Sequence, residues 1–406
     1  MTEALGFIGS VDLCGLLRGK SVPSAALERR LGRGVGIAPS LLLAPPFGPG
    51  RERFGLGDLV LIPDPAARAL IPVRDAPDIV LLLGDVLELD GSPWECCPRY
   101  FLRRGLAALH AEFGLTVRAG FAQELIYTGA GGRGGSGLEA LRRQGGFGGR
   151  LLAAARANGI EPERFQPASG PGRYEIGVAP ASGVEAADQA VIVRELARAV
   201  AAGSGHRAIL APDEFGSATS IHWSLRDEFG QPATHDEGGV RGLSIEGEHM
   251  AAGMLHHLPA IVAVTRPSPA SYGRSAPLWP ELGGGDRGAP LRLCPASATS
   301  DEPAAAQIHL EFRAGDATAN PYLALGALVW AGLDGLRRRR RLAEVARVAA
   351  PATLEAALEA FEESVAAAEW FGPVLREAYG RVKRDEIAAA AGLDGAALGA
   401  RYAALY

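Results

Sequence analysis

Side chains able to bind or transfer charged groups are scattered over this chain at spacings that no single helix or turn explains. Glu124, Glu175 and Glu311 each fall in a strand-like stretch. Alternation alone allows such a residue to point outward on a solvated face, so each can do charge chemistry only where its strand faces a pocket. Arg274, Arg287, Arg292 and Arg313 are their cationic counterparts. A guanidinium fork suits planar carboxylates and phosphates, and Arg292 and Arg313 lie in apolar strands where an unpaired guanidinium is costly. His222, followed by Trp223 and then Ser224, is either an ordinary buried histidine or one that faces a ligand. Phosphate cradling by a glycine loop is not expected. The Gly-rich segments Gly129–Gly137 and Gly145–Gly149 flank a short helix, end in no G-K-S/T and suit surface loops.

These residues need a scaffold of some size. At 406 residues the chain exceeds what one hydrophobic core serves, so two unequal domains are expected. Hydrophobic residues at 48% and charged residues at 21% place it among soluble globular proteins. A formal net charge of −5 offers no global attraction for nucleic acid, and the basic run Arg337–Arg341 is read as capping the helix before it. Cys14, Cys96, Cys97 and Cys294 show no C-x-x-C spacing and are read as reduced structural thiols. No leader pattern and no apolar run of membrane-spanning length is found, so a cytoplasmic location without membrane insertion is expected.

Up to residue 98, apolar residues come in short runs broken by Gly and Pro, as at Leu41–Ala44, Leu59–Ile62 and Ile79–Leu83, each predicted as a strand. From residue 99 to 406 helical periodicity enters. It covers Tyr100–Phe113, Leu138–Arg143, Gly149–Ala157 and Val184–Ala202, alternating with strands at Leu115–Tyr127 and Tyr174–Val178. The last third is predicted helical: Tyr322–Leu336, Leu354–Glu369, Val374–Ala391 and Ala396–Ala404. His249, His256 and His257 sit on a predicted helix where packing explains them. Asp316, Asn320 and Pro321 are expected to shape a turn and helix start. The class is α+β, a small β domain (1–98) and a larger domain (99–406).

Eight collinear strings carry a resemblance. They are DLCGLLRGK at Asp12–Lys20, GDLVLIPDP at Gly57–Pro65, GPGRYEIG at Gly170–Gly177 and IHWSL at Ile221–Leu225. SYGR at Ser271–Arg274, DRGAPLR at Asp286–Arg292, LEFRAGDATANPYL at Leu310–Leu323 and AGLDG at Ala331–Gly335 complete the set. In this order they are similar to the glutamine synthetase family, in particular the branch that joins diverse amines to glutamate. The resemblance implies a β-grasp-like amino-terminal domain and a catalytic domain with a curved antiparallel sheet. It also implies a homo-oligomeric ring, a decamer or dodecamer, in which a neighbour completes each site.

In that family ATP phosphorylates a glutamate side chain and an amine attacks the acyl phosphate. Divalent cations held by six ligands, with arginines, neutralise the transferring group. Three ligand positions are kept: Glu124 in GFAQEL, Glu175 in GRYE and Glu311 in EFR. Three are replaced, by Ala122, Ala168 and Ser220. Alanine cannot ligate a cation and serine offers only a weak neutral oxygen. Gln123, Gln166 and His309 are the nearby, uncharged candidates for compensation.

The resemblance assigns Arg274, with Glu124, to the carboxylate substrate, Arg287, Arg292 and Arg313 to the phosphoryl group, and His222 with Ser224 to the nucleotide. It implies ATP with Mg2+ or Mn2+, one ion on Glu124 and Glu175 rather than two, or none. Two functions stay open: an ATP-dependent carboxylate–amine ligase, or a member that has lost synthetase activity and serves as a metal-independent enzyme, binding protein or structural subunit.

Overall fold

The computed structural model describes residues 3–47, 57–131, 135, 137–212, 218–272 and 277–406. Part of the Gly129–Gly137 segment lies outside the described residues. Five strands form the small sheet: β1 (Leu5–Val11), β2 (Leu17–Pro23), β3 (Val35–Ile37), β4 (Leu59–Ile71) and β5 (Ile79–Leu87), in the order β2-β1-β5-β4-β3. β1 and β5 run parallel at its centre and the other pairs are antiparallel. Two short helices accompany it, α1 (Leu27–Leu31) and α2 (Pro39–Leu42).

The α2 turn replaces the strand expected at Leu41–Ala44. Pro39 at its first position has a fixed φ and no N–H for a ladder, which suits a helix start. β4, by contrast, runs far past the predicted Ile62. It carries Pro63 and Pro65 across a register shift between Pro63 and Arg68, one of the places a sheet tolerates them.

The large sheet comprises β6 (Thr116–Tyr127), β7 (Pro162–Pro167), β8 (Arg173–Val178), β9 (Ala181–Ser182), β10 (Ala208–Ile209), β11 (Thr219–Arg226), β12 (Leu282–Gly283), β13 (Leu291–Cys294) and β14 (His309–Phe312). Its order is β12-β13-β14-β11-β6-β8-β7, with β9 and β10 paired to β6. Around it lie α3 (Pro98–Phe113), α4 (Leu138–Arg143), α5 (Phe147–Ala157), α6 (Val184–Ala202), α7 (Ile245–His256), α8 (Leu258–Thr265), α9 (Ala304–Gln307) and α10 (Pro321–Arg338). α11 (Leu354–Glu363), α12 (Val365–Ala390) and α13 (Gly395–Ala403) end the chain. The break expected between Glu369 and Val374 is present at Gly372, which is non-helical with φ of 70° and precedes Pro373. A further, unexpected break falls at Ser364, whose side chain caps α12 by accepting from Ala367 N.

α10 is buried from Pro321 to Leu336. Its start is set by Asn320, whose Oδ1 accepts from Tyr322 N at 2.9 Å and Leu323 N at 3.1 Å. Its packing against α7 needs two glycines: a Cβ on Gly253 would stand 2.2 Å from Ala331 O, and one on Gly335 would stand 2.0 Å from His249 O. The basic run behaves as read. Arg338 and Arg340 bond Asp334, Arg337 bonds Glu112 and Arg341 bonds Glu248. His257 also bonds Asp334, at 2.7 Å, so it packs as expected.

Several contacts tie the small sheet to the rest of the chain. Asn320 Nδ2 donates to Asp12 O at 2.8 Å. Arg99, buried near the start of α3, reaches Asp64 of β4 at 2.7 Å, Asp85 of β5 at 3.1 Å and Asp188 of α6 at 2.8 Å. Burial raises the Asp64 pKa, but the Arg99 bond and neighbouring charges outweigh it and hold the carboxyl below its ordinary value. An aspartate depressed in the fold adds stability above its unfolded pKa of about 3.9, lost as pH falls through the lower folded value. Arg99→Met, which leaves Asp188 buried without its cation, is therefore expected to lower urea stability at neutral pH by about 3–5 kcal/mol. The gap from the parent should narrow below pH ~4. An unchanged urea midpoint would show that Arg99 does not hold the two sheets together.

Candidate active site

Cross-strand registers place the charged residues on one face of the large sheet. Glu124 of β6 stands opposite Glu175 of β8, and Glu175 opposite Gln166 of β7. Ala122 stands opposite Ser220, Gly120 opposite His222 and Arg118 opposite Ser224. His222 then faces Glu311 of β14, Glu311 faces Arg292 of β13, and His309 faces Cys294. Because side chains alternate along each strand, this set shares a face and Gln123 lies on the other. Gln123 is buried there, accepting from Arg194 Nε at 2.6 Å and donating to Ala190 O at 3.1 Å. It is not a replacement ligand, contrary to the expectation from its spacing.

Glu311 is the most enclosed of the three glutamates. Arg313 Nη1 donates to its Oε1 at 2.6 Å, Arg292 Nη1 to its Oε2 at 3.0 Å, and His222 Nε2 lies 3.9 Å from Oε1. Burial raises its pKa, but His222 and the two arginines outweigh that and hold the carboxyl below the usual range. Arg292 and Arg313 thus share one counter-charge, which answers the cost of placing them in apolar strands. Arg287 does not join them. Its side chain is exposed after β12, and among the described residues its carbonyl is what takes part, accepting from Arg313 Nε at 2.8 Å. Arg274 lies outside the described residues.

The Glu124–Glu175 pair is compensated differently. Glu124 Oε2 accepts from Arg173 Nη1 at 3.3 Å and from Ala218 N at 3.1 Å, while Glu175 Oε1 accepts from Arg164 Nε at 2.8 Å and Gln166 Nε2 at 3.1 Å. Burial raises the Glu124 pKa; Arg173 and Ala218 N–H oppose it, Glu175 adds to it, and the net shift is upward. Each of these two carboxylates has one guanidinium partner, where Glu311 has two.

Arg164 was not foreseen. Its strand, PERFQP, is bounded by prolines and shows little apolar alternation. Its guanidinium lies over Gly177, whose added Cβ would meet it at 3.1–3.2 Å, and its Nη2 reaches His222 Nε2 at 3.3 Å. Arg173 carried a usable signal: two residues before Glu175, it shares that face.

Hydrogen bonding assigns the histidine tautomers. Gln307 O can only accept, so His309 Nδ1, 2.7 Å away, carries a proton. Its Nε2 then presents a lone pair to His222 Nδ1 at 3.1 Å, which must donate, and His222 Nε2 accepts from Arg164. Both rings are neutral in this arrangement. Burial, with His309, Arg164 and Arg292 against Glu311, lowers the His222 pKa to about 4, in agreement. Beside them opens a cavity of about 560 Å3 lined by Arg118, Arg164, His222, Ser224, Glu302 and His309, a size that suits a small molecule.

Residues 95–393 match the family model for the glutamine synthetase catalytic domain, and residues 2–94 that for the glutamine synthetase N-terminal domain. The chain belongs to the glutamine synthetase family. Among the curated members of this ligase family, gamma-glutamylpolyamine synthetase GlnA3 of Streptomyces coelicolor is 33% identical over 97% of this chain and 91% of its own. Glutamine synthetase of Thermus thermophilus is 29% identical over 91% of this chain and 87% of its own. A crystal structure of a novel glutamine synthase homolog superposes with a TM-score of 0.93 at 37% identity, covering 100% of this chain and 99% of that one. Apo GmaS, at 23% identity over 96% of this chain and 94% of its own, shares the fold with a TM-score of 0.82. The chain is a glutamine synthetase-like enzyme of two domains, and among its described residues no helix is long and apolar enough to cross a membrane.

If Glu311 were an uncompensated ligand, neutralising it would stabilise this glutamine synthetase-like chain in the absence of metal. The clamp implies the opposite. Glu311→Gln, unfolded by urea in the presence of a chelator, is expected to lose about 3 kcal/mol, because two partly buried guanidinium groups lose their counter-charge.

Proposed function

We propose that this chain is an ATP-dependent ligase that joins an amine to glutamate or a similar acid through an acyl phosphate. The observation that carries the reading is the asymmetric pairing: Glu124 and Glu175, facing each other with one arginine each, beside a Glu311 saturated by Arg292 and Arg313. Magnesium can be held by one or two carboxylates together with substrate phosphates, so Glu124 and Glu175 fit one Mg2+ or Mn2+. The position around Glu311 does not fit a second, since its oxygens are already bonded and Ala122 and Ser220 bring no charge. The bound ion would neutralise phosphoryl oxygens.

The chain's own residues do the rest. In this reading the nucleotide occupies the cavity beside His222 and Ser224. Neutral His222 presents no charge to it and is held in one orientation by His309. Arg313 and Arg292, oriented by Glu311, meet the charge that develops on the transferring phosphoryl group, with Arg287 closing from its exposed loop and Arg274 on the substrate carboxylate. The amine is left open among amines generally, and the polyamine named for the Streptomyces relative makes polyamines the first to test. The same reading includes a small domain at 1–98, a catalytic domain at 99–406, a cytoplasmic decameric or dodecameric ring, and no nucleic-acid partner.

A second reading has its own support: guanidinium groups already sit on all three surviving glutamates, as a metal-independent binding protein or enzyme would require. Phosphate release separates the two. Purified protein with ATP, Mg2+ or Mn2+ and glutamate should release phosphate with at least one member of a panel of ammonium, monoamines and polyamines. Glu124→Gln should raise the metal concentration for half-maximal rate by roughly tenfold or more, the scale on which weakened metal sites respond. No release with any amine, together with no thermal shift on adding nucleotide, would favour the metal-independent reading.

A further inference from the structure

Three metal-ligating side chains meet at the edge of the cavity, on three neighbouring strands and away from Glu124 and Glu175. One ring nitrogen each of His222 and His309 and the Sγ of Cys294 lie within 4.8 Å of one another. The register accounts for it: Cys294 of β13 stands directly opposite His309 of β14, and His222 of β11 faces the residue two along from His309 on the same side. We propose that His222, Cys294 and His309 form a binding site for a thiophilic divalent cation of the zinc type, separate from the Glu124–Glu175 pair.

The donor set decides the class of ion. Imidazole and thiolate suit zinc, whereas magnesium and calcium prefer oxygen. The spacing suits it as well. With zinc–nitrogen bonds of about 2.0 Å and a zinc–sulfur bond of about 2.3 Å, tetrahedral ligands stand about 3.3–3.6 Å apart. His222 Nδ1 and His309 Nε2 are already 3.1 Å apart, so small rotations of the rings and of Cys294 close the set.

Partners that orient such ligands are also in place. His309 donates its other N–H to Gln307 O at 2.7 Å, which aims the Nε2 lone pair at the site. On binding, His222 Nδ1 gives up its proton and the ring takes the Nε2–H tautomer, which can donate to Ser220 Oγ at 3.5 Å, with the Glu311 carboxylate 3.9 Å away. Arg164 then leaves His222 and keeps its bond to Glu175. Arg292 Nη1, 3.6 Å from Cys294 Sγ, offsets the thiolate charge. In balance, Zn2+ displaces one proton from the Cys294 thiol to solvent as the zinc–sulfur bond forms, and His222 changes tautomer with no net proton loss. Three protein ligands leave a fourth position, filled by water or by a group in the cavity that His222 and His309 line.

The test uses the full chain and needs no turnover. Titration with Co2+ should give a thiolate-to-cobalt charge-transfer band in the near ultraviolet and tetrahedral visible bands, saturating at one ion per chain. Zinc affinity, read by competition with a chromophoric chelator, should fall by more than about 100-fold in Cys294→Ser and in His309→Ala, since a lost ligand outweighs the roughly 10–100-fold of a lost supporting partner. Glu175→Gln should leave it unchanged. Absence of the charge-transfer band in the unmodified chain would overturn the proposal whatever the folding of the variants. So would zinc binding that Cys294→Ser does not weaken while Glu175→Gln does. The ligase reading stands or falls separately, on phosphate release.

Discussion

Glu311 sits between two guanidinium groups and a neutral imidazole at the centre of the large sheet, and the electrostatics of the whole face follow from that clamp. A buried carboxylate is stable only when paired, and here Arg292 and Arg313 supply the pairing directly. One consequence is that Glu311 has little capacity left for a cation. Another is that the two arginines are held in fixed directions in a part of the site where Ala122 and Ser220 bring no charge. The positive character of the pocket is therefore local. The Glu311 clamp carries it with two guanidinium groups, while Glu124 and Glu175 have one each, from Arg173 and Arg164.

This division depends on strand register, and register depends on the scaffold. A slip of one residue between β11 and β14 would turn His222 away from Glu311 and move it to the opposite face. The buried helix α10, set at its start by Asn320 and held close to α7 by Gly253 and Gly335, follows directly on the loop after β14 and limits such a slip. Arg99 and its aspartates fix the small sheet against α3 and α6, so both sheets are positioned from elements that also frame the site.

Much of this was legible in the sequence where local signals are strong. Leu138–Arg143 and Val184–Ala202 read as helices from apolar periodicity, and the turn chemistry of Asp316, Asn320 and Pro321 could be read from residue types. Leu41–Ala44 misled because an apolar run looks alike in a strand and in a buried turn, and Pro39 decided for the turn. The break at Ser364 was missed because a capping serine mid-way through an alanine-rich stretch carries little contrast, whereas Gly372 and Pro373 marked the later one. At the site, motif strings located Glu124, Glu175, Glu311, Arg292 and Arg313, but not what each touches. Arg164 and the meeting of Cys294 with His309 arise from pairing between strands far apart in sequence, which spacing does not encode. Arg287 shows the converse: a motif residue whose side chain points to solvent while its carbonyl does the holding.

The charge balance of this face makes one quantity decisive, the number of divalent ions the chain holds beside a nucleotide. Electron paramagnetic resonance of Mn2+, titrated into the protein with a non-hydrolysable ATP analogue and Zn2+ saturating the histidine–cysteine set, counts them directly. One tightly bound Mn2+ per chain, lost in Glu124→Gln and retained in Glu311→Gln, is the expected result. Two spin-coupled ions per chain, one of them abolished by Glu311→Gln, would contradict the account, because Glu311 would then be a ligand rather than the anchor of Arg292 and Arg313.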